Sequence, residues 1–496
     1  MKVDNFLQNA NTSENNLTVR KWIKLLPILL IEAYVWFSYF LYRYGPWKWP
    51  FRNDNRTLLF LLFCNSMLFL GYFIALKLKK KNYMQTSWVI SPNKVVTLCT
   101  IVSILLMLPM CKYYTGHYYP PIIQAISNPY KVYYEMINHV SQRSTIRFWG
   151  FFDVFIYCLF PLITYYWDRI TIKIRILGII TSFYYLLIYM SSGKNIHVFI
   201  LLISVLIPFI LVACTYRIHK DKLKLRRTAM LFLTYSILMI AMFKINLTSR
   251  TLYSEDIENK LARLRMEEDI YSTASINYNK LSISGAHINN YKKVYEVYPI
   301  YTGEYSWAYV NPNDKILNVL PVSLRFTYTM ASGYLTNGYH GLTVSLYTEH
   351  QWTYGLGHSS FLMDYFNRIF GIPVYENSYY YRLSNEIKPQ LVSTSMWPSA
   401  YTQFADDLTF LGVIFLMFFM GFVLYFIWID AINGHNIFAI LLLSLVAVQY
   451  LFLPANNFME NSGGNFVTFY VIGILWVLTK FVPYIKKRNL EMQSEK

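Results

Sequence analysis

The sequence predicts an all-α polytopic membrane protein with about ten transmembrane helices and one large outer-face loop that contains interfacial helices. Two properties of the whole chain support this fold class. Hydrophobic residues make up 55% of its 496 residues and aromatic residues 19%, whereas charged residues make up only 15%. That balance is typical of a chain that crosses a bilayer several times, not of a soluble globular protein. The spacing of the apolar runs is a third observation, and it predicts the number and order of the helices.

Runs of about 17–25 apolar residues, the length that crosses the hydrocarbon core, recur along the chain. They divide it into an N-terminal tail (1–22), seven helices (23–245), a long loop (246–407), three helices (408–484) and a C-terminal tail (485–496). The ten predicted spans cover residues 23–42, 57–77, 95–111, 148–166, 176–191, 196–216, 228–245, 408–429, 436–454 and 465–484.

The distribution of lysine and arginine predicts the orientation of these helices. Basic runs at residues 77–81, 169–175, 217–227 and 486–488 fall on one side if all ten spans are real. Because short cytoplasmic loops carry an excess of Lys and Arg, that side is predicted to be the cytoplasm, and both termini lie there. The cations within residues 43–56 depart from this pattern, since they lie in the first outer loop.

The formal charge of +18 is explained by these basic runs and does not indicate nucleic-acid binding. The five cysteines lie in or beside apolar segments without metal-ligand spacing, which predicts that they are packing residues. The sequence contains no Walker A, HExxH or CxxC motif, and no GxGxxG follows a predicted strand. These absences argue against nucleotide-driven transport.

The loop over residues 246–407 is too long for a simple connector and too varied for a disordered linker. Short apolar runs at 316–324 and 342–346 predict helices that lie in the interface plane. Its centre, GYLTNGYHGLTVSLYTEHQWTYGLGHSSFL (333–362), is too polar to cross a bilayer and too aromatic for an ordinary solvated loop. We expect its glycines to permit tight turns and close backbone approach. The Gly355-Leu-Gly357 segment would present backbone N–H groups to phosphate or form an ordinary turn.

Cations among these aromatic residues are candidate ligands for phosphate, which arginine binds through a bidentate, permanently charged fork. Arg325 lies among apolar residues, where a charge is costly without a partner. The sequence favours equally an anion-binding role and a structural ion pair with Glu349 or Asp364. The further candidates are Arg250, for which snorkelling to headgroups is the alternative, Lys194 in a short outer turn, and Arg368.

Histidines and carboxylates on the same side are candidate general bases. His350 stands beside Glu349, which would orient it, and Asp407 lies at the predicted outer mouth of the eighth span. Asp406 is a neighbouring alternative, and Asp153 is another because a carboxylate at its depth is costly without a partner or cavity. The other histidines of the glycine-rich stretch are His340 and His358.

Several short motifs resemble the Wzy-type oligosaccharide repeat-unit polymerases of bacteria. SSGKN (191–195) forms a turn between two central spans, and GYLTNGYHGLTVSL (333–346) and WTYGLGHSSFL (352–362) lie in the late outer loop. MWPSAYTQFADDLTFLGVIF (396–415) runs into the eighth span. The resemblance covers most of the chain from Ser191 onward and the architecture alone before it. One departure is the lysine of SSGKN, where many relatives carry arginine.

The resemblance implies a GT-C-like polymerase/ligase architecture in the bacterial plasma (inner) membrane and a metal-independent glycosyltransferase without cofactors. Such an enzyme acts in O-antigen or capsular polysaccharide biosynthesis. It transfers a growing glycan from undecaprenyl pyrophosphate to the non-reducing end of a lipid-linked repeat unit at the outer face. The implied partners are undecaprenyl-pyrophosphate-linked oligosaccharides and membrane lipids, with a chain-length regulator and a flippase, and no nucleic acid.

In that reaction His350 first, and Asp407 second, would take the proton from the acceptor hydroxyl. The predicted cations that would bind the pyrophosphate, whose charge develops as it leaves, are Arg325, Arg250, Lys194 and Arg368. The aromatic residues that would stack on sugars are Trp307, Tyr339, Trp352 and Trp397.

Three alternatives remain open at this stage. An O-antigen ligase would use a similar fold and donor with lipid A core as the acceptor. A flippase of lipid-linked oligosaccharide would show internal repeats, which are not visible in the sequence. A membrane-bound O-acyltransferase would require a histidine inside adjacent spans, for which His197 is the one candidate.

Overall fold

The computed structural model is almost entirely helical in the part of the chain that it describes. The described residues are 21–49, 51–78, 90–127, 132, 135, 147–192, 195–219, 221–241, 309–310, 314–387, 397–434 and 436–494. Two short strands, β1 (Trp47–Lys48) and β2 (Tyr309–Val310), pair antiparallel.

The described residues form a series of α-helices. In chain order they are α1 (Lys21–Tyr44), α2 (Asn55–Leu78), α3 (Pro92–Leu105), α4 (Met107–Thr115), α5 (Ile122–Ser127), α6 (Asp153–Tyr165), α7 (Ile172–Ser191), α8 (Asn195–His219), α9 (222–241), α10 (Lys315–Val319), α11 (Val322–Ser345), α12 (Ser360–Phe370), α13 (Tyr379–Arg382), α14 (Ala400–Asn433), α15 (Ile437–Phe452) and α16 (Gly463–Ser494). Short 3₁₀ turns add Arg147–Phe152, Trp167–Arg169, Val374–Asn377 and Phe458–Glu460, and a π-helical turn adds Leu383–Ile387.

Six of the described helices are long and apolar enough to cross a membrane, and a bent pair makes seven. The six coincide with the first, second, fifth, sixth, eighth and tenth predicted spans. The third predicted span is divided into α3 and α4, which are bent by 60°. The fourth and ninth correspond to apolar helices of fewer than 18 residues, and the seventh begins in α9 and runs beyond the described residues. The prediction of an all-α polytopic membrane protein is confirmed.

Helices α2 and α14 pack so closely that each has a glycine at the contact. A Cβ atom on Gly71 would lie 1.9 Å from the Phe418 backbone oxygen, and one on Gly421 would lie 2.0 Å from the Leu68 oxygen. Small residues permit this approach between membrane helices, whose association depends on van der Waals packing. The five cysteines are buried with free thiols, as the sequence predicts for packing residues.

The first half of the glycine-rich stretch forms the end of α11 instead of turns. A Cβ atom on Gly338 would lie 2.0 Å from the Pro454 backbone oxygen, and one on Gly341 would lie 2.9 Å from Pro398 Cα. The expected close backbone approach is therefore present, but the expected turns are wrong for this part of the stretch. Gly355, further along, does adopt a left-handed φ of +77° in a loop.

Three elements meet at one end of the bundle, which we call the loop end. The Ser399 N–H donates to the Gly338 carbonyl at 3.2 Å, and the Ala400 N–H donates to the Leu453 carbonyl at 3.0 Å. These bonds join the start of α14 to α11 and to the end of α15. The long loop is therefore anchored to the helices that follow it.

The opposite end of the bundle carries basic residues, and we call it the basic end. The Tyr166 hydroxyl donates to the Gly434 carbonyl there at 2.9 Å. Arg227 forms a bidentate pair with Asp168 at 2.6 and 2.7 Å. Cations of the two predicted basic runs at 169–175 and 217–227 thus lie together, as expected if both runs face the same side.

Candidate functional site

Asp407, near the start of α14, organises the loop between α11 and α12. Its Oδ1 accepts from the Thr353 hydroxyl at 2.6 Å and from the Gly357 N–H at 3.0 Å. Its Oδ2 accepts from the His358 N–H at 2.8 Å. Gly357 has to be a glycine, because a Cβ atom there would lie 2.3 Å from Thr353 Oγ1 and 2.5 Å from Asp406 Cβ. The loop therefore wraps its backbone around the carboxylate.

The imidazole of His358 completes the set of groups around Asp407. Its Nδ1 lies 2.8 Å from Asp407 Oδ2, and its Nε2 lies 3.7 Å from Glu460 Oε2. A carboxylate that holds Nδ1–H orients the ring and leaves Nε2 to react, as in a histidine general base. Burial lowers the pKa of His358, but the hydrogen bond to Asp407 and the charges of Glu460 and Asp407 outweigh burial and raise this pKa above its ordinary value.

A buried hydrogen-bond network holds Glu460 beside this histidine. Asn457 Nδ2 donates to Glu460 Oε2 at 2.6 Å and to the His358 carbonyl at 2.7 Å. The Tyr470 hydroxyl donates to Glu460 Oε1 at 2.8 Å, and Gln449 Nε2 donates to Asn457 Oδ1 at 2.7 Å. Paired polar groups in a buried site restrict one another's positions. We call His358, Asp407, Asn457 and Glu460 the His358 cluster.

Asp406 and the residues after it shape the same region. Asp406 is buried, and its Oδ1 accepts from the Tyr379 N–H at 2.7 Å. Two residues after Asp407, Thr409 has φ 61° and ψ 166°, which interrupts α14. A non-glycine residue in this conformation is strained by about 1–3 kcal/mol, and such strain is concentrated at functional sites. The kink separates the short polar start of α14 from its long apolar part.

His350, the first choice for the base from the sequence, lies next to the cluster but has different partners. Its Nε2 lies 3.1 Å from the backbone carbonyl of Asp406. Glu349 does not orient it as expected: its side chain is exposed, and its carbonyl accepts from Arg382 at 2.7 Å. The loop turns between the two neighbours, so adjacency in the sequence does not become a contact between their side chains.

Accessible aromatic side chains lie close to the cluster. Trp352 is 54% exposed and follows His350 in the loop, and Trp397 stacks on Tyr380 with ring centroids 5.5 Å apart. Both suit the predicted stacking on sugars. Tyr339 does not, because α11 turns it against α1, where it is fully buried. The prediction that Tyr339 binds sugar is therefore wrong.

The contacts of two predicted cations, Arg325 and Arg368, are with residues outside the His358 cluster. Arg325 Nε donates to the Leu320 carbonyl at 2.9 Å. Arg368 pairs with Asp364 one helical turn earlier at 3.0 Å. These contacts do not bring Arg325 or Arg368 to His358. The predicted residues Lys194, Arg250 and Trp307 lie outside the described residues.

Two features of the site did not follow from the sequence. The Gly357 N–H, in the segment considered as a phosphate ligand, donates to Asp407 within the protein, and so does the His358 N–H. Glu460 was not among the predicted residues. The signal that could have found it is the polar run NNFMENSGGN (456–465) between two apolar spans, where a carboxylate among amides indicates a hydrogen-bonded network.

An apolar groove lies between α14, α15 and α16. It has a volume of about 510 Å³ and is lined almost entirely by aliphatic and aromatic side chains such as Met420, Leu442 and Ile474. Gln449 and Tyr470 also lie in its lining, and their polar ends donate to Asn457 and Glu460. Two residues of the groove wall thus also contact the His358 cluster.

Asp153, the buried carboxylate noted in the sequence, has the partners that its burial requires. Its Oδ2 accepts from the Tyr114 hydroxyl at 2.6 Å, and its Oδ1 accepts from the Tyr189 hydroxyl at 3.2 Å. It is 2% exposed. This second polar group belongs to α4, α6 and α7, apart from the elements that build the His358 cluster.

Among the described residues, no group of three or more His, Cys, Asp or Glu side chains is arranged to hold a metal ion. Comparison of the chain with protein-family models, curated proteins and solved structures finds no match.

Proposed function

We propose that this protein is a polysaccharide polymerase, a glycosyltransferase that lengthens a lipid-linked oligosaccharide at the outer face of the bacterial plasma membrane. The observation that carries the proposal is a buried acid–base cluster whose residues Asn457 and Glu460 accept hydrogen bonds from two side chains in the wall of an apolar groove between long apolar helices. A substrate with a long hydrocarbon chain and a polar head satisfies both surfaces. Burial of the chain is favourable along the groove, and the head then lies at the cluster.

The His358 cluster supplies the proton chemistry of glycosyl transfer in this proposal. His358 Nε2 takes the proton of the acceptor hydroxyl, Asp407 holds the ring through Nδ1, and Glu460 stabilises the imidazolium that forms. The acceptor oxygen bonds to the anomeric carbon of the donor as the bond from that carbon to the pyrophosphate oxygen breaks. The electron pair of that bond leaves with the lipid pyrophosphate. His358 thus replaces His350 as the proposed base.

The exposed aromatic rings near the cluster bind the sugar part of the substrate in this proposal. Trp352 and Trp397 present accessible ring faces, which suit the apolar faces of pyranose rings. Arg325 and Arg368 are not brought to the His358 cluster by their described contacts. We therefore assign the recognition of sugar to the rings near His350 and leave the phosphate to other groups.

In this proposal the basic runs set the orientation of the protein in the membrane. If the basic end faces the cytoplasm, the loop end and the His358 cluster face outward. A flippase would then deliver the lipid-linked repeat unit to this side, and a chain-length regulator would act on the growing product. Both termini would lie in the cytoplasm.

Deletion of the gene, followed by sizing of the surface polysaccharide on a gel, tests the proposal. A polymerase predicts that only a single repeat unit remains on the normal anchor, with the ladder lost. An intact ladder that stays on the carrier lipid would indicate a ligase instead. A complete ladder on its normal anchor, in a strain without a second copy, would refute both activities.

A further inference from the structure

Helix α12 has a polar side and an apolar side. With about 100° between successive residues of a helix, its polar side chains fall together. They are Ser360, Asp364, Asn367 and Arg368. Apolar side chains occupy the rest of the helix, and three of them, Tyr365, Ile369 and Phe370, are 53%, 56% and 60% exposed. The apolar side of an ordinary surface helix packs against the protein core, so an exposed apolar side indicates contact with something other than this chain.

The start of α12 is fixed at one end of α16. The Ser359 hydroxyl donates to the Glu460 carbonyl. The Ser360 hydroxyl donates to Asn461 Oδ1 at 3.0 Å. Glu460 and Asn461 lie just before α16, whose residues Gly463–Lys480 are apolar enough to cross a membrane. Helix α12 therefore begins at the level where the spanning part of α16 begins.

A row of aromatic rings joins the exposed side of α12 to α16. The centroids of the Tyr365 and Phe361 rings are 5.8 Å apart, and those of the Phe361 and Phe466 rings are 5.5 Å apart. The Phe466 and Tyr470 centroids are 4.4 Å apart. Tyr470 is 38% exposed, and Ile474, one turn further along α16, is 57% exposed, as expected of side chains that face lipid. Exposed apolar surface thus continues from the spanning helix onto α12, at the level of a membrane that aromatic rings favour.

Helix α12 has the length and the polarity of a helix that lies along a membrane surface. Its 11 residues extend about 16 Å, which is too short to cross a hydrocarbon core of about 30 Å. Asp364 and Arg368 form an ion pair at 3.0 Å on its polar side, which favours contact with water. Gly371, with a left-handed φ of 69°, ends the helix. An orientation in the membrane plane places the polar side in water and the apolar side in lipid.

We propose that α12 lies on the membrane surface at the loop end and inserts Tyr365, Ile369 and Phe370 among the phospholipids of that leaflet. His358 is two residues before the start of α12, so this contact holds the His358 cluster at the level of the lipid headgroups. The consequence for His358 rests on the proposed function, in which the reacting pyrophosphate of the lipid carrier lies at this level. The contact with phospholipid itself does not depend on the reaction.

The test measures which side of α12 meets lipid, in the full-length protein reconstituted into vesicles of phosphatidylethanolamine and phosphatidylglycerol. A nitroxide label is attached to Ile369→Cys and, in a second variant, to Tyr365→Cys. Asn367→Cys is the matched control on the polar side of the same helix. The five native cysteines are buried, and wild-type protein treated with the label gives the background. Collisions of the nitroxide with oxygen, which concentrates in lipid, and with a water-soluble nickel chelate report its surroundings.

We expect the labels at positions 369 and 365 to collide more with oxygen than with the chelate, and the label at position 367 to show the reverse. The ratio of the two collision rates should be several-fold higher at position 369 than at position 367. A thermal unfolding curve for each labelled variant checks that it is folded. More collisions with the chelate at positions 369 and 365 would show that this side meets water. Protection of both labels from both reagents would show that protein, such as a second copy of the chain, covers it. Either result would overturn the inference.

A second measurement tests the consequence for His358. Ile369→Asp should slow glycan lengthening in vesicles by about tenfold, because burial of one isoleucine side chain is worth a factor of this order. Ile369→Leu should keep the wild-type rate, and Asn367→Asp is the matched control. An unchanged rate in folded Ile369→Asp would show that the membrane contact does not position His358.

The two proposals fail in different ways. If the labels report lipid while the wild-type protein lengthens no glycan, the proposed function is wrong and the membrane contact stands. If the wild-type protein lengthens glycans while the labels report water, the membrane contact alone is wrong.

Discussion

His358 and Asp407, 49 residues apart in the sequence, are joined by a 2.8 Å contact between Nδ1 and Oδ2. The same carboxylate accepts from the His358 backbone N–H, so the ring and its own backbone are held by one group. This double attachment determines the direction of Nε2. It is the structural basis for assigning the base to His358.

The first prediction separates the two candidate histidines. His358→Gln should reduce lengthening of the lipid-linked glycan by roughly 10²–10⁴-fold, the usual contribution of a general base. His350→Gln should have a much smaller effect, because His350 Nε2 lies against a backbone carbonyl. Rates of glycan lengthening by equal amounts of the two purified variants check this. A larger loss in His350→Gln than in His358→Gln would restore the assignment made from the sequence.

The second prediction concerns pH and has opposite signs for rate and stability. The raised pKa of His358 means that its imidazole becomes neutral, and able to accept a proton, only above the ordinary value of about 6.5, so the rate should rise with pH there. The stabilisation of protonated His358 by Asp407 and Glu460 is complete below about pH 6.5 and is lost as pH rises through the raised folded-state pKa.

Melting temperatures measured from about pH 6 to about pH 9 check this sign, with His358→Gln as the comparison. The wild type should lose stability relative to His358→Gln as pH rises. A difference between the two proteins that stays constant over this range would show that His358 does not gain a charge in the folded protein.

The third prediction tests the apolar groove as the place of the lipid chain. Gly473 lines the groove, and a Cβ atom there would meet nothing within 4 Å, so Gly473→Phe should fill the groove without a backbone clash. We expect KM for the lipid-linked substrate to rise on the order of tenfold with little change in kcat. Leu411→Phe, at a 66% exposed position on α14, is the control. Equal KM values for both variants would show that the lipid chain of the substrate binds outside this groove.

The fourth prediction concerns the packing of α2 against α14. Gly421→Ala places a methyl group 2.0 Å from the Leu68 carbonyl oxygen, which forces the helices apart and should cost about 1–3 kcal/mol of unfolding free energy. Gly473→Ala has open space and should be neutral or stabilising, since alanine favours a helix over glycine. Thermal unfolding of the detergent-solubilised variants measures both. A Gly421→Ala protein as stable as the wild type would show that α2 and α14 can accommodate a methyl group at this contact.

The helical membrane fold could be predicted from the sequence because length and apolarity are local properties. Six of the ten predicted spans coincide with described helices long and apolar enough to cross a membrane, and a seventh coincides with a bent pair of helices. Their exact lengths are less predictable. The bend between α3 and α4 and the kink at Thr409 depend on packing that no single run encodes.

The candidate site was predicted in part, and the reason is geometric. Asp407 and Trp352 were named from the sequence because a carboxylate at a helix mouth and an aromatic loop residue are locally recognisable. Tyr339 was misassigned because a tyrosine looks the same in the sequence whether its side chain is accessible or, as on α11, buried inside the protein. The partnership of His358 with Asp407 and Glu460 joins three distant segments, and no local pattern reports which segments meet.

Reconstitution of the reaction measures whether the protein itself lengthens lipid-linked glycans. Lipid-linked single repeat units, extracted from a deletion strain, are incubated in vesicles with the purified protein, and the products are sized on a gel. The account predicts a ladder of longer lipid-linked glycans with the wild type and none with Asp407→Asn, in which the histidine loses its orienting carboxylate. Single units left unchanged by folded wild-type protein, or a full ladder made by Asp407→Asn, would contradict it.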